Sequence, residues 1–239
     1  MTELLAPAGN WDCARAAVAN GADAIYFGLP KFNARMRADN FTEEDLPELM
    51  DFLHRHGVKG FVAFNTLVFP SELAGAVEQI ETMARSGVDA VIVQDLGAAK
   101  LVQEIAPEME LHASTQMTIT SPEGLAFVDG FLDLDRAVLA REMSVEEITR
   151  VRKKGEVPLE LLWICSPDTT RDCCSLLEAF HQNWCIRLCH RSLCELAHLL
   201  LHVRLWWRTS HLGWSDSSRY HVVHRCRRHD YWLARLTTT

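Results

Sequence analysis

The sequence lacks the long hydrophobic run that a membrane-spanning helix requires, since no apolar stretch approaches about 18 residues. Its first residues, MTELLAPAGNWD, have neither the basic start nor the apolar centre of a signal peptide. Gly-rich dinucleotide-binding and phosphate-loop motifs are absent as well. From the first two absences we expect a soluble, cytoplasmic protein without a membrane partner, while the third gives no support to a doubly wound sheet.

Lysine and glycine almost disappear in the last third of the chain. Beyond residue 160 there is no lysine, and Gly213 is the only glycine. The same part holds seven of the eight cysteines and six of the seven tryptophans, and its net charge is +4 against −12 for residues 1–160. The composition therefore predicts two regions, a domain over residues 1–160 and an anomalous Cys-, Trp- and Arg-rich tail over residues 161–239.

The first region alternates short apolar segments with helical patterns, in units that recur every 20 to 36 residues. Such segments are typical of strands that are buried on both faces of a parallel sheet. We predict seven strands, over residues 3–6, 24–27, 60–64, 90–93, 110–114, 137–140 and 157–162. Strict strand–helix alternation forces the strands to be parallel. The predicted fold class is α/β, an incomplete TIM-like (β/α) barrel of six βα units plus a seventh strand, with an open doubly wound sheet as the weaker alternative.

Residues that begin helices support this pattern. Ser144 and Glu147 form a capping-box motif ahead of one helical stretch. Ser71 is expected to cap an earlier helix, with Leu73 on its buried stripe.

Because no eighth strand is predicted, the first and seventh strands should present open edges, which favours aggregation.

Polar residues stand where the predicted strands end. Barrel enzymes keep their chemistry at the C-terminal ends of the strands, and polar side chains there are costly to bury without partners. The predicted substrate-binding residues of this barrel mouth are Asn65, Gln94, Asp95, His112, Ser114, Gln116, Arg141 and Glu142. We expect four of them, each from a different strand, to face one concavity: Asn65, Gln94, His112 and Arg141.

Several of these residues also have a structural interpretation. His112 and Ser114 could form a satisfied polar layer inside the barrel. Asp95 could cap the helix that follows it. Arg141 and Glu142 are adjacent on a strand and point to opposite faces, so either one could pair with a neighbouring strand. The sequence leaves these alternatives open.

Seven segments at the strand ends occur in a fixed order: ELLAPAGN (3–10), IYFG (25–28), FNARMRADNF (32–41), FNT (64–66), VQDLG (93–97), LHASTQ (111–116) and LARE (139–142). Together they resemble the N-terminal domain of the collagenase-like peptidase family U32, over residues 2–160. The family name records a protease assignment, whereas its better-understood relatives act in oxygen-independent hydroxylation of RNA bases or of the ubiquinone ring. The last three segments are most similar to the branch that acts on ribosomal RNA.

The resemblance implies RNA or a small anionic co-substrate as the partner, and a four-iron–four-sulfur cluster held by four cysteines. After residue 160 the chain reads LLWICSPDTTRDCC, where the family has a His-Gly pair and a nearby cysteine. No C-x-x-C pair occurs in the tail. We therefore expect no cofactor and assign no metal ligands, and a new Cys/His metal site that includes His181 and His190 is the alternative.

Three functions remain open at this point. The first is a component of RNA-base or quinone hydroxylation, inactive without its cluster, and the second is a non-catalytic remnant. The third is a peptidase, although no H-E-x-x-H motif or nucleophile elbow occurs and no acid marks Ser114 and His112 as a catalytic pair. The basic tail could bind RNA. A shifted reading frame is the favoured explanation of the tail, because the break falls inside the barrel repeat rather than at a linker.

Overall fold

The computed structural model describes residues 3–34, 39–140, 142–163, 184–188, 224–225 and 232–233. Eight parallel strands form a closed barrel in which each strand pairs with the next along the chain. The strands are β1 (Glu3–Pro7), β2 (Ala24–Gly28), β3 (Lys59–Phe64), β4 (Ala90–Val93), β5 (Glu110–Ala113), β6 (Arg136–Val138), β7 (Leu159–Trp163) and β8 (Trp184–Leu188). Two short strands, β9 (His224–Arg225) and β10 (Trp232–Leu233), form a separate antiparallel pair.

Six helices connect the first seven strands. They are α1 (Trp11–Ala19), α2 (Leu46–Arg55), α3 (Leu73–Arg85), α4 (Leu96–Ile105), α5 (Pro122–Leu132) and α6 (Val145–Lys154). The predicted α/β fold class, a TIM-like (β/α) arrangement of six βα units and a seventh strand, is confirmed. None of the helices in the described part of the chain is long and apolar enough to cross a membrane.

Alternation along the strands divides the buried side chains into two groups. One face of each strand packs against the helices, and the other face fills the barrel. The apolar side chains inside the barrel are Leu5, Ala24, Tyr26, Phe61, Ala90, Ile92 and Val138. The barrel interior is therefore a packed core, and any ligand must bind at one of its ends.

The helix starts follow the capping rules at α6 but not at α3. The Ser144 backbone N–H donates to the Glu147 carboxylate at 2.7 Å, and the Glu147 N–H donates to Ser144 Oγ at 3.4 Å, which confirms the capping box. The cap predicted at Ser71 is wrong, because a 3-10 turn over Pro70–Glu72 precedes α3 and contains this residue. Leu73 is consequently 43% exposed instead of lying on the buried stripe.

The predicted open edges are wrong, because β8 pairs with both β7 and β1. Cys185 stands in register with Glu3 on one side and with Glu160 on the other. The eighth strand comes from the region assigned to the tail, where the sequence shows no repeat of the strand–helix pattern. A barrel strand is held by backbone pairing, which five residues can supply between two neighbours without a periodic apolar signal.

Candidate functional site

A cavity of about 380 Å³ lies at the C-terminal end of three neighbouring strands, β4, β5 and β6. Its walls are Gln94, Thr115, Gln116, Thr118, Ala140 and Glu142. We call these six residues the mouth pocket. The pocket brings together three of the predicted site residues, Gln94, Gln116 and Glu142, each of which follows a different strand.

The connection between β5 and α5 supplies half of the mouth pocket through a tight local turn. Ser114 Oγ accepts a hydrogen bond from the Gln116 N–H at 3.2 Å, and the Thr118 N–H donates to the Thr115 carbonyl at 3.1 Å. Thr118 has a left-handed backbone with φ of 57°, which β-branched residues rarely adopt. Sequence reasoning missed Thr118 for this reason, since no residue type there signals the turn.

The polar groups of the mouth pocket suit a planar ligand that both donates and accepts hydrogen bonds. The amides of Gln94 and Gln116 offer donors and acceptors, the Thr115 hydroxyl offers both, and the Glu142 carboxylate accepts. The Thr118 hydroxyl can accept only, because it already donates to the Gln116 carbonyl at 3.3 Å. The volume lies at the small end of the range for ligand pockets, about 300 to 1,000 Å³. The pocket thus has room for one small ring system and has several groups that can hydrogen-bond to the edge of that ring system.

Two predicted site residues hold connections in place and do not line the pocket. Asn65 Oδ1 accepts a hydrogen bond from the Ala34 N–H at 3.1 Å, so it anchors the connection that follows β2. Asp95 Oδ1 accepts from the Ala98 N–H at 2.8 Å and caps α4. Of the two interpretations of Asp95, the structure therefore shows the contact expected of a helix cap.

His112 lies inside the barrel below the mouth pocket. Its side chain is fully buried, and its ring meets the Phe61 ring edge-on with centroids 4.9 Å apart. The Nε2–H donates to Glu110 Oε2 at 3.1 Å, while Nδ1 has no hydrogen-bond partner among the described residues. Burial lowers the pKa of His112 below its usual 6.5, which favours the neutral imidazole. Ser114 is also buried, and its hydroxyl accepts from the Gln116 N–H.

Charged side chains surround His112 at the N-terminal end of the barrel, which we call the barrel floor. The ion pairs of the floor are Lys59–Glu110 at 2.7 Å, Arg136–Glu3 at 2.6 Å and Arg136–Glu160 at 3.7 Å. The hydrogen bond from His112, followed by the one from Lys59, lowers the pKa of Glu110 from 4.5 to about 2, against the opposing effect of burial. The floor is a network of paired charges, and none of its residues lines the mouth pocket.

The remaining predicted site residue, Arg141, lies outside the described residues. The structure therefore places Gln94, Gln116 and Glu142 in one cavity, assigns Asn65 and Asp95 to backbone contacts, and puts His112 in the floor. Among the described residues, the other walls of the mouth pocket are Thr115, Thr118 and Ala140.

The described cysteines are too few for a four-iron–four-sulfur cluster, because only Cys13 and Cys185 belong to the described ranges and four cysteine ligands are required. Cys13 is a free, partly buried thiol in α1, packed against the core between helices and strands. Within the ranges that the structure describes, no group of three or more His, Cys, Asp or Glu side chains is arranged to hold a metal ion. A four-cysteine cluster site therefore cannot be assembled from these residues.

The chain is similar to proteins whose names give different functions. It is 41% identical over 160 residues to the 23S rRNA 5-hydroxycytidine C2501 synthase of Escherichia coli, covering 66% of this chain and 23% of that protein. It is 34% identical over 160 residues to tRNA hydroxylation protein P1 of Bacillus subtilis, covering 66% and 37%. It is 34% identical over 152 residues to a collagenase of Porphyromonas gingivalis, covering 63% and 36%. The matched part therefore spans less than two-fifths of the length of each relative.

Solved structures share the fold. A U32 peptidase superposes with a TM-score of 0.58 at 13% identity, covering 80% of this chain and 94% of that chain. Phosphoribosylanthranilate isomerase from Thermotoga maritima superposes with a TM-score of 0.60 at 13% identity, covering 85% and 99%. At this level of identity the likeness concerns the barrel alone. The sequence model of peptidase family U32 matches residues 9–164, from the first helix to the end of β7, and the chain belongs to this family.

Proposed function

We propose that the barrel is a base-recognition domain of the RNA-hydroxylation type, in which the mouth pocket holds a single nucleobase. The observation that carries the proposal is the set of two amides, two hydroxyls and one carboxylate around a cavity of about 380 Å³. Relatives named for hydroxylation of 23S rRNA and of tRNA support RNA as the substrate class.

The pocket residues would act on the base by binding and orienting it. A base that enters an enzyme pocket leaves its stack and loses its pairing partner, so the protein must satisfy the hydrogen-bonding edge of the base. Gln94 and Gln116 face such an edge with groups that can donate or accept, and Glu142 accepts from a ring N–H or an amine. Because the three residues follow three adjacent strands, their backbone positions are fixed by the barrel and not by a single loop.

We do not propose that this chain catalyses the hydroxylation of RNA by itself. The resemblance to the family implies an iron–sulfur cluster for the redox chemistry of hydroxylation, and the described residues contain no group of side chains arranged to hold a metal ion. The cysteines of the tail stand outside the family's sequence context. We therefore propose that the chain binds RNA without hydroxylating it.

Binding and modification are tested separately. A fluorescent RNA hairpin that contains the site modified by the Escherichia coli relative should bind the purified chain, and Gln94→Ala, Gln116→Ala or Glu142→Gln should weaken binding by about tenfold each. Glu108→Gln is the matched control, because Glu108 is an exposed residue in the connection before β5, at the opposite end of the barrel. Equal affinity of all the variants would refute the pocket assignment.

The modification test uses Escherichia coli cells that lack that relative. Expression of the chain should leave the 5-hydroxycytidine of 23S rRNA absent by mass spectrometry, whereas expression of the relative restores it. Restoration by this chain would contradict the proposed lack of hydroxylation. It would leave the pocket assignment intact, because that assignment rests on the binding variants.

A peptidase is the second candidate function, favoured by the name of the Porphyromonas gingivalis relative. The described residues do not support it. Ser114 Oγ accepts a backbone N–H, and the His112 imidazole bonds Glu110 in the floor, so the two do not form a nucleophile–base pair. Gelatin incubated with the chain should remain uncut on a denaturing gel, and cleavage lost on Ser114→Ala would reverse this conclusion.

A further inference from the structure

Several exposed apolar side chains follow strands at the end of the barrel that carries the mouth pocket. The described part of the chain has six large apolar side chains that are exposed, and four of them lie in the connection after β3 or at the first residue of α3 or α4. These four, which we call the mouth rim, are Leu67 (55% exposed), Phe69 (60%), Leu73 (43%) and Leu96 (42%). Apolar surface concentrated in one place on a protein surface indicates a contact site.

The register of the barrel places the mouth rim at the same end as the mouth pocket. Phe64 of β3 is paired with Val93 of β4. Leu67 and Leu96 each follow one of these two residues by three positions, and Gln94 of the pocket directly follows Val93. The rim therefore borders the side of the pocket that β4 supplies.

The backbone at Phe69 is held by two hydrogen bonds, although its side chain is exposed. Its backbone N–H donates to the Glu72 carboxylate at 3.0 Å, and the Glu72 N–H donates back to the Phe69 carbonyl at 2.8 Å. Pro70, the next residue, has a fixed φ and begins the 3-10 turn. An exposed phenyl ring on a fixed backbone can stack on a flat partner, and only the two side-chain torsions lose freedom when it does so.

We infer that the mouth rim is a stacking platform for the unpaired RNA bases next to the one that the mouth pocket takes, with Phe69 as its main contact. The inference rests on the proposed function. Residues 1–160 carry 26 acidic against 14 basic side chains, so the barrel repels phosphates and must bind RNA chiefly through its bases. Aromatic stacking serves single strands of any sequence because every base has a flat face.

The test compares Phe69→Ala, Phe69→Tyr and Phe127→Ala in the full chain by fluorescence anisotropy, with a labelled single-stranded RNA of about ten nucleotides. Phe127 is the matched control, because it is 74% exposed but lies on α5, on the outside of the barrel. We expect Phe69→Ala to weaken binding by about 5- to 150-fold, Phe69→Tyr to retain most of it, and Phe127→Ala to change nothing. Wild-type affinity should fall less than about threefold between 50 and 200 mM salt.

Four results would overturn the inference. Equal affinities of Phe69→Ala and Phe127→Ala would show that the rim does not contact RNA, while the pocket variants described above would still test the proposed function. A steep loss of affinity with salt would assign binding to phosphates. A wild-type dimer that Phe69→Ala converts to a monomer, with unchanged RNA affinity, would make the rim a contact between two copies of the chain. If wild-type protein binds no RNA at all, the inference and the proposed function fail together.

Discussion

His112 should make the stability of the barrel depend on pH. Burial lowers its pKa below 6.5, so the folded protein binds fewer protons at this residue than the unfolded chain does. The free energy of unfolding therefore falls as the pH decreases below about 6.5. Glu110 has the same sign at lower pH, since its pKa is lowered from 4.5 to about 2. Its contribution is present above 4.5 and is lost as the pH falls towards 2.

Urea unfolding between about pH 7 and pH 5 measures the contribution of His112. The wild-type midpoint should fall over this range, and His112→Gln should remove most of the fall because the amide does not titrate. His56→Gln is the control, since the His56 side chain is exposed at the end of α2. A His112→Gln midpoint that depends on pH as steeply as that of the wild type would show that another group carries the effect.

The sequence predicts which residues face the barrel interior better than it predicts their depth. His112 and Ser114 are two residues apart, so they share a face of β5, but about 6.6 Å separates them along the strand. His112 consequently reaches the charged floor, while the residues after Ser114 reach the mouth. The depth depends on the register of β5 against its neighbours, such as the pairing of His112 with Arg136. No local pattern encodes that register.

At the scale of elements, the connection between β2 and α2 should depend on the small size of Gly28. A Cβ there would lie 1.8 Å from Asn33 Nδ2 and 2.6 Å from Asn40 Oδ1. These two side chains are hydrogen-bonded to each other at 2.8 Å, and Asn33 is only 2% exposed, so neither can move without breaking the bond. Gly28→Ala should therefore lower the free energy of unfolding by about 1–3 kcal/mol, measured in urea.

Gly75→Ala provides the comparison for this substitution. Gly75 lies within α3, and an added Cβ would meet nothing within 4 Å. Alanine is the better helix former, so this variant should be as stable as the wild type or more stable by about 0.5–1 kcal/mol. If Gly28→Ala is as stable as Gly75→Ala, the asparagine pair does not constrain the end of β2.

The sequence predicts elements most reliably where one local motif determines the start. The capping box at Ser144 and Glu147 is complete within four residues, and the structure contains it. The start of α3 depends instead on Glu72, which bonds the backbone of Phe69 and forms a turn before the helix. Ser71 is followed directly by Glu72 and has Ala74 three positions later, so it lacks the second half of a capping box and is an ambiguous helix-start signal. The same turn leaves Leu73 and Phe69 on the surface, which an apolar periodicity cannot predict.

At the scale of the whole molecule, we predict that the purified chain contains no stoichiometric iron–sulfur cluster. The tail has no C-x-x-C pair, and its cysteines do not follow the His-Gly context of the family. Anaerobic reconstitution followed by iron and sulfide quantitation should give well below the four irons per chain of a complete cluster. About four irons per chain, lost on Cys173→Ser and Cys185→Ser, would contradict this prediction and support a catalytic role.

The composition of the tail has a separate explanation at the level of the gene. We propose that residues 161–239 are translated from a shifted reading frame, since lysine is absent there and arginine, cysteine and tryptophan are abundant. Translation of the coding DNA downstream of Glu160 in the other two forward frames is the test. One of them should encode a strand followed by a His-Gly pair and nearby cysteines. If neither frame does so, the tail is an authentic part of the protein, and its arginines become candidates for RNA binding.

Closure of the barrel by β8 should stabilise the fold and limit aggregation. Because β8 pairs with β1 and β7, its removal would leave two apolar strands with unpaired backbone groups. A chain that ends after Trp163 should therefore unfold at a lower urea concentration and scatter more light with increasing concentration than a chain that ends after His190, which keeps β8. Ile186→Pro in the full chain should act like the shorter chain, because proline removes a backbone donor from the middle of a strand with neighbours on both sides. If the chains that end after Trp163 and after His190 have the same midpoint and both stay monomeric, β8 does not stabilise the barrel, and the fold is carried by the first seven strands.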